Sequence, residues 1–120
     1  MAIFEVWDVV KVPFPYTDRP VRQRRPALVV AAGEIEAAHG LLWLVMITSA
    51  ENRGWPGDVD ISDLRVAGLP APSIVRPAKI ATVDARDAQR LGTLPRVDRE
   101  AVASCFRCIL SVALGRSSGK

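Results

Sequence analysis

Arginine is the residue type through which this sequence can best do chemistry. Arg19, Arg22, Arg24 and Arg25 fall within seven consecutive residues, and Arg25-Pro26 leads straight into the apolar Ala27-Leu28-Val29-Val30-Ala31. A guanidinium presents a planar fork of donors that grips two oxygens at once, so the cluster suits a phosphate-bearing partner. Pro20 and Pro26 deny the segment helix and ladder hydrogen bonding, which predicts an exposed loop on a rigid base. The plainer alternative is a solubilising loop whose charges face water.

A second polar group closes the next apolar run, where Leu41–Ile47 is followed by Thr48, Ser49 and Glu51. If Arg25 opens one strand and Thr48 closes its antiparallel neighbour, a hairpin through residues 34–40 sets the two side by side. In an extended segment neighbouring side chains alternate, so Arg25 shares a face with Ala27 and Val29 while Arg24 points away. Phe14 and Tyr16, between prolines ahead of the arginine loop, can stack on bases or simply seal the end of a barrel. His39, the single histidine, sits beside Gly40 at the hairpin turn, far along the strands from the arginines.

These residues need a scaffold of short strands. Residues 4–12 are dense in strand formers, residues 26–33 read as a central strand apolar on both faces, and residues 41–49 return as the most hydrophobic strand. Residues 50–57 form a Gly- and Pro-rich loop at the arginine end of the sheet. A short strand follows at 58–61, then a loop at 63–72, a strand over 73–83 interrupted by Pro77, and a last short strand at 90–94. The period then changes. Val102, Cys105, Phe106, Ile109 and Val112 recur at helical spacing, with Asp98 as cap, Val97 and Val102 as a staple, and Gly115 as terminator of about four turns. Strands with no helices between them, followed by one packing helix, make a mainly β fold of the small-barrel type.

At 120 residues and 49% hydrophobic, the chain has material for one core and one domain. No apolar run approaches the roughly 20 residues of a membrane span, and the N-terminus lacks the features of a secretory signal; a cytoplasmic protein without membrane contact is expected. The net charge of +3 matters less than its layout. Basic charge gathers at Arg19–Arg25, whereas Glu51, Asp58, Asp60 and Asp63 collect mid-chain, which favours an anionic partner at one face. Cys105 and Cys108 lack the second Cys/His pair of a zinc site and read as core residues. Trp43, Trp55 and Leu69, taken as exposed, predict a homodimer.

Trp7-Asp8-Val9-Val10, Pro13-Phe14-Pro15-Tyr16-Thr17-Asp18, Arg24-Arg25-Pro26-Ala27-Leu28-Val29-Val30, Ile47-Thr48-Ser49 and Val75-Arg76-Pro77, followed by Lys79-Ile80 and Thr82-Val83-Asp84, occur in an order and spacing that resembles the PemK/MazF family of toxins. The resemblance spans nearly the whole chain. It implies a single SH3-like barrel (CcdB/PemK-like) with a C-terminal helix over residues 1–115, and a flexible tail at 116–120. It further implies a homodimer that cleaves single-stranded RNA at specific sequences without metal or cofactor, leaving 2′,3′-cyclic phosphate and 5′-hydroxyl ends. A cognate antitoxin would block the activity, and operator DNA would be met only through the toxin–antitoxin complex.

Carried over residue by residue, the family's active-site arginine falls on Arg25, its hydroxyl residue on Thr48, and a second arginine of some members on Arg76. Arg19, Arg22, Arg24, Tyr16, Ser49 and Lys79 would hold the RNA. Ala78 stands where some members carry an acid, and no histidine occurs in the first loop. Arginine, with a pKa above about 12, is a poor proton acceptor. Arg25 and Arg76 are therefore expected to stabilise phosphate charge and Thr48 to donate a hydrogen bond, while Asp18, Glu51 and Asp58 are carboxylates available as bases. Two competing functions share the fold. One is a CcdB-like gyrase-binding toxin, whose Trp-Gly-Ile ending contrasts with Arg116-Ser117-Ser118-Gly119-Lys120 here; the other is a nucleic-acid-binding barrel without chemistry.

Overall fold

The β-branched and apolar runs form six strands in a computed structural model that describes residues 3–13 and 23–115. The strands are β1 (Asp8–Val12), β2 (Arg25–Ala31), β3 (Leu41–Ser49), β4 (Val59–Asp60), β5 (Ser73–Asp84) and β6 (Gln89–Thr93). They pair antiparallel in one sheet of order β4-β5-β3-β2-β1-β6. Three helices accompany them, α1 (Glu34–His39), α2 (Leu64–Ala67) and α3 (Arg96–Ala113). Register shifts at Val9/Val10, Val29/Ala31 and Val45/Met46 are bulges, and bulges sharpen strand twist. The sheet curls into a half-barrel, the mainly β architecture with a C-terminal helix that the sequence predicts.

Both faces of the sheet are apolar. Val9, Leu28, Val45, Ile47 and Val75 pack on one side with Ala67 of α2 and Val102 and Phe106 of α3. Val10, Val12, Ala27, Val29, Leu44 and Met46 fill the other. Each fully buried Val, Leu or Ile contributes about 1.5–3 kcal/mol, so packing on both faces, rather than strand propensity, holds the curl. No helix among the described residues is long and apolar enough to cross a membrane.

Several local expectations change. The connection at 34–40 is not a plain turn but α1, closed by Gly40 at φ 69°, and its Glu36 is buried because Oε1 accepts the Phe4 N–H at 3.0 Å. The 63–72 loop contains α2, capped by Asp63, whose Oδ1 accepts from Arg65 and Val66 N–H. Pro77 does not interrupt β5. Val45 pairs with Ile80 and Met46 with Arg76, so residues 77–79 bulge out, where a missing N–H costs no ladder bond.

β1 starts later than expected, at Asp8, because Trp7 takes φ 83°. That conformation costs about 1–3 kcal/mol in a non-glycine residue. It is held by Trp7 N–H on Val29 O at 2.9 Å and by Leu94 N–H on Trp7 O at 2.8 Å.

α3 runs 18 residues from Arg96, about five turns. Asp98 does not cap it; its Oδ2 instead accepts from the N–H and Oγ of Ser62, tying the helix to the end of β4. Val97 is 80% exposed and staples nothing, whereas Leu69 is buried. Of the cysteines, Cys105 is half-buried and Cys108 exposed.

α2 lies directly on β6 through two glycines. A Cβ at Gly92 would run into the Val66 and Ala67 backbone, and one at Gly68 into the Leu91 carbonyl. Gly92→Ala is therefore expected to lower stability by about 1–3 kcal/mol, the usual cost of overpacking. A thermal melt indistinguishable from the parent protein would contradict this close approach.

Candidate active site

Sheet register assembles the site. Val12 of β1 pairs with Arg25, and Ala27 pairs with Met46; two further residues along each strand, Arg25 lies across from Thr48. Thr48 pairs with Ile74 and Met46 with Arg76, while Asp60 pairs with Ile74 and Val59 with Val75. One further step sets Asp58 across from Arg76. Directly opposed residues share a face, and diagonal neighbours lie about 7–8 Å apart. Arg25 and Thr48 thus occupy one cross-strand row and Arg76 and Asp58 the next, all on one side of the sheet.

Arg76 is not an open cation. Its Nε donates to Asp58 Oδ1 at 3.0 Å and its Nη2 to Asp58 Oδ2 at 2.9 Å, and the same Nη2 donates to the Asn52 carbonyl at 2.7 Å. The side chains of Arg76 and Asp58 are only 7% and 8% exposed. Trp55 covers the guanidinium at 4.3 Å from its ring centroid, a cation–π contact. Asp58 Oδ2 also accepts the backbone N–H groups of Gly54 and Trp55. The Arg76 hydrogen bonds, with help from those N–H groups, hold the Asp58 carboxyl below the ordinary carboxylate value against the opposing effect of burial. With both oxygens engaged, Asp58 is ill placed to take a proton from substrate.

Asn52 joins the two rows. It closes the 3₁₀ turn Ala50–Asn52 that follows β3, and its Nδ2 donates to Thr48 Oγ1 at 2.9 Å. Ser49 Oγ accepts the Glu51 N–H at 3.2 Å at the start of that turn, so Ser49 is a cap in this structure. A hydroxyl that accepts one hydrogen bond keeps its own proton to give. Thr48 is thereby set up as a donor.

Beside this row lies a cavity of about 370 Å³, lined by Arg24, Arg25, Thr48 and Ser49 together with Leu69 to Ser73. The structure brings Arg24, Arg25, Thr48 and Ser49 to this cavity, and Arg76 sits outside its lining. Arg25 Nη2 donates to Gln23 Oε1 at 3.0 Å, whereas Arg24 Nη2 donates to the Lys11 carbonyl at 3.1 Å. Lys79 stands on the β5 bulge, its Nζ 5.9 Å from the Trp55 ring. Tyr16, Arg19 and Arg22, with Asp18 and the tail at 116–120, lie outside the described residues. His39 lines a separate cavity of about 490 Å³ with Phe4 and Arg86. Among the described residues, no group of three or more His, Cys, Asp or Glu is placed to hold a metal ion.

Sequence reasoning missed Asn52 and the use of Trp55 as a cover for Arg76. The Gly54-Trp55-Pro56-Gly57 turn signals a loop but not what its ring stacks on, and nothing local distinguishes Asn52. Trp7-Asp8, part of the motif pattern, is structural. Asp8 is 3% exposed, accepts the Glu5 N–H and forms an ion pair with Arg90 Nη2 at 3.2 Å.

The Asp58 carboxylate, lowered from 3.8, contributes stability that is fully present above that value and is lost as pH falls through the lower folded value. Acid unfolding below about pH 4 is the expected result, with Asp58→Asn flattening that part of the profile. The same variant leaves Arg76 buried without its counter-charge and should cost about 3–5 kcal/mol at neutral pH. Denaturant melts across pH check both, and a parent-like Asp58→Asn would show that the pair is not structurally important.

The sequence pattern of the PemK-like, MazF-like toxins of type II toxin–antitoxin systems matches residues 5–110. Among solved structures, a MazE–MazF complex from Deinococcus radiodurans aligns with TM-score 0.69 and 23% identity over 96% of this chain and 98% of that one. MazF from the same organism gives 0.73 at 22% identity, over 91% and 97%. An endoribonuclease in complex with its cognate antitoxin from a mycobacterial species gives 0.66 at 18%, over 92% and 94%. Identities this low speak to fold alone. No curated protein sequence matches the chain. The family pattern, spanning nearly the whole chain and agreeing with the fold, establishes that this chain belongs to the PemK-like, MazF-like toxins of type II toxin–antitoxin systems.

Proposed function

We propose that this toxin is a sequence-specific, metal-independent endoribonuclease acting on single-stranded RNA in the cytoplasm. The observation that carries the reading is the juxtaposition of Arg25 with Thr48, whose hydroxyl accepts from Asn52 and so presents its proton, at the edge of the same cavity. In such a site the RNA's own 2′-oxygen attacks the adjacent phosphorus, and the bond from phosphorus to the 5′-oxygen breaks. The 2′-proton passes to a base and the departing 5′-oxygen takes up a proton, leaving a 2′,3′-cyclic phosphate and a 5′-hydroxyl. Arg25 supplies positive charge to the phosphate oxygens and Thr48 a hydrogen bond that strengthens as negative charge develops. With Asp58 occupied by Arg76, Glu51, exposed in the turn after Thr48, is the described carboxylate closest in sequence to the hydroxyl.

Arg24, Ser49 and Lys79, with Arg19, Arg22 and Tyr16, are assigned to RNA binding around this centre. Arg24 is exposed and directed toward the end of β1, as suits a backbone contact. A cognate antitoxin of acidic character would cover the same basic surface, since an anionic chain neutralises it and blocks RNA together. Contact with operator DNA is assigned to that complex rather than to the toxin alone.

Two measurements test the reading. In EDTA, with a mixed-sequence RNA, the protein should give cuts ending in cyclic phosphate. Arg25→Ala should slow single-turnover cleavage roughly a hundredfold or more, as loss of one charge-stabilising donor does. Arg24→Ala should mainly weaken binding, lowering the salt slope by at most about one phosphate contact. Equal losses in the two variants, or no cuts at all, would overturn the assignment.

A second copy of the chain is proposed as partner, because Trp43, Ile80, Val112 and Leu114 are exposed apolar side chains of the kind that oligomer contacts cover. Leu69, being buried, takes no part. Light scattering should return the dimer mass, and a concentration-independent monomer mass would refute it.

A further inference from the structure

We propose that Arg76 is a positioning residue: paired with Asp58, it fixes the turn that carries Asn52, and Asn52 in turn aims the Thr48 hydroxyl at the scissile phosphate. The proposal rests on the endoribonuclease reading above and assigns within it a role that differs from direct phosphate binding.

The geometry separates the two roles. Arg76 spends Nε and Nη2 on Asp58 and lies beneath Trp55 with 7% of its side chain exposed. A phosphate would have to displace the carboxylate or the ring to gain a bidentate grip, and the ion pair as a whole offers an anion little net charge. The remaining strong contact points inward to the turn, where Nη2 donates to the Asn52 carbonyl at 2.7 Å. This bond anchors the backbone from which the Asn52 side chain reaches Thr48 Oγ1 at 2.9 Å. The other end of the turn is pinned by Ser49, whose Oγ accepts the Glu51 N–H. A turn held at both ends keeps the Asn52 amide against Thr48 Oγ1, and a hydroxyl that accepts this bond keeps its own proton to donate.

Arginine is required by this geometry. A lysine can neutralise Asp58, but its single ammonium cannot form the flat double contact and reach the Asn52 carbonyl in the same plane. A misplacement on the order of 1 Å at the reacting centre can cost about a hundredfold in rate, so a residue that touches no substrate can still govern turnover.

The test is a double-mutant cycle on the full-length protein with one mixed-sequence RNA in EDTA, read as single-turnover rate and, separately, as RNA affinity across salt. Asn52→Ala, an exposed substitution that leaves the Arg76–Asp58 pair in place, should slow cleavage roughly 10- to 100-fold with affinity unchanged. It should have no further effect in a Thr48→Ala background, because contacts acting through one group are not additive. Arg76→Lys should reproduce the Asn52→Ala loss and be likewise silent beside Thr48→Ala. The neutral pair Arg76→Gln with Asp58→Asn should keep the parent salt slope of RNA binding, whereas a lost phosphate contact would reduce that slope by about 0.7.

Losses that add to Thr48→Ala, a fully active Asn52→Ala, or a reduced salt slope would each overturn the positioning role while leaving the ribonuclease reading intact. If the neutral pair fails to fold, the cycles of Arg76→Lys and of Asn52→Ala against Thr48→Ala decide. A parent protein that leaves the RNA uncut would instead sink the ribonuclease reading, and the positioning role with it.

Discussion

The buried pair of Arg76 and Asp58 is the contact on which the functional face depends. Taking two charges out of water costs several kcal/mol per ion, which only good geometry and full hydrogen bonding can offset. Both conditions are met, since the fork is bidentate, two backbone N–H groups complete the carboxylate, and Trp55 closes the outer side. An apolar pair of equal volume can hold β4 to β5 as well. It could not also gather the Asn52 carbonyl and the Gly54 and Trp55 amides, so the pair gives the loop one conformation more than it gives the fold stability.

The rest of the fold braces that loop. Gly57, at φ 89°, leaves room for Cys105 of α3, whose Sγ would lie 2.6 Å from any Cβ added there. The helix therefore presses on the segment that supplies Asp58. Burial, reinforced by the neighbouring Cys108 and Asp58, pushes the Cys105 thiol up, which keeps it protonated and unreactive near neutrality. Gly68 and Gly92 let α2 sit on β6, and the segment that follows, Leu69 to Ser73, lines the cavity. Three close contacts, each made possible by a glycine, thus hold the elements on either flank of the site.

Curling the sheet matters as much as closing the loops. Bulges on β2, β5 and β6 rotate the strands against one another, yet between Met46 and Ser49 the β3–β5 register is unbroken. That regular patch holds Thr48 and Arg76 in adjacent rows. The β5 bulge at 77–79 begins immediately beyond it, carrying Lys79 toward Trp55. The chain shares this architecture with MazF structures at 22–23% identity, as expected where the pattern and volume of core side chains, rather than their particular identities, define a fold.

The order of the strands, the face that Arg25 shares with Ala27 and Val29, and the meeting of Arg25 with Thr48 were legible in the sequence. These follow from period-two alternation and from antiparallel return through a short connection, both local properties. The sequence did not determine α1 or α2, because helices of six and four residues are too short to show a period and form only where the tertiary structure satisfies their ends. Asp98 looked like a cap because a cap is recognised by its neighbours in sequence, whereas its partner Ser62 is 36 residues away. The partner of Arg76 was hidden for the same reason. A guanidinium reads as a phosphate ligand until a carboxylate 18 residues earlier is brought across from it, and only the folded sheet fixes which charge meets which at low dielectric.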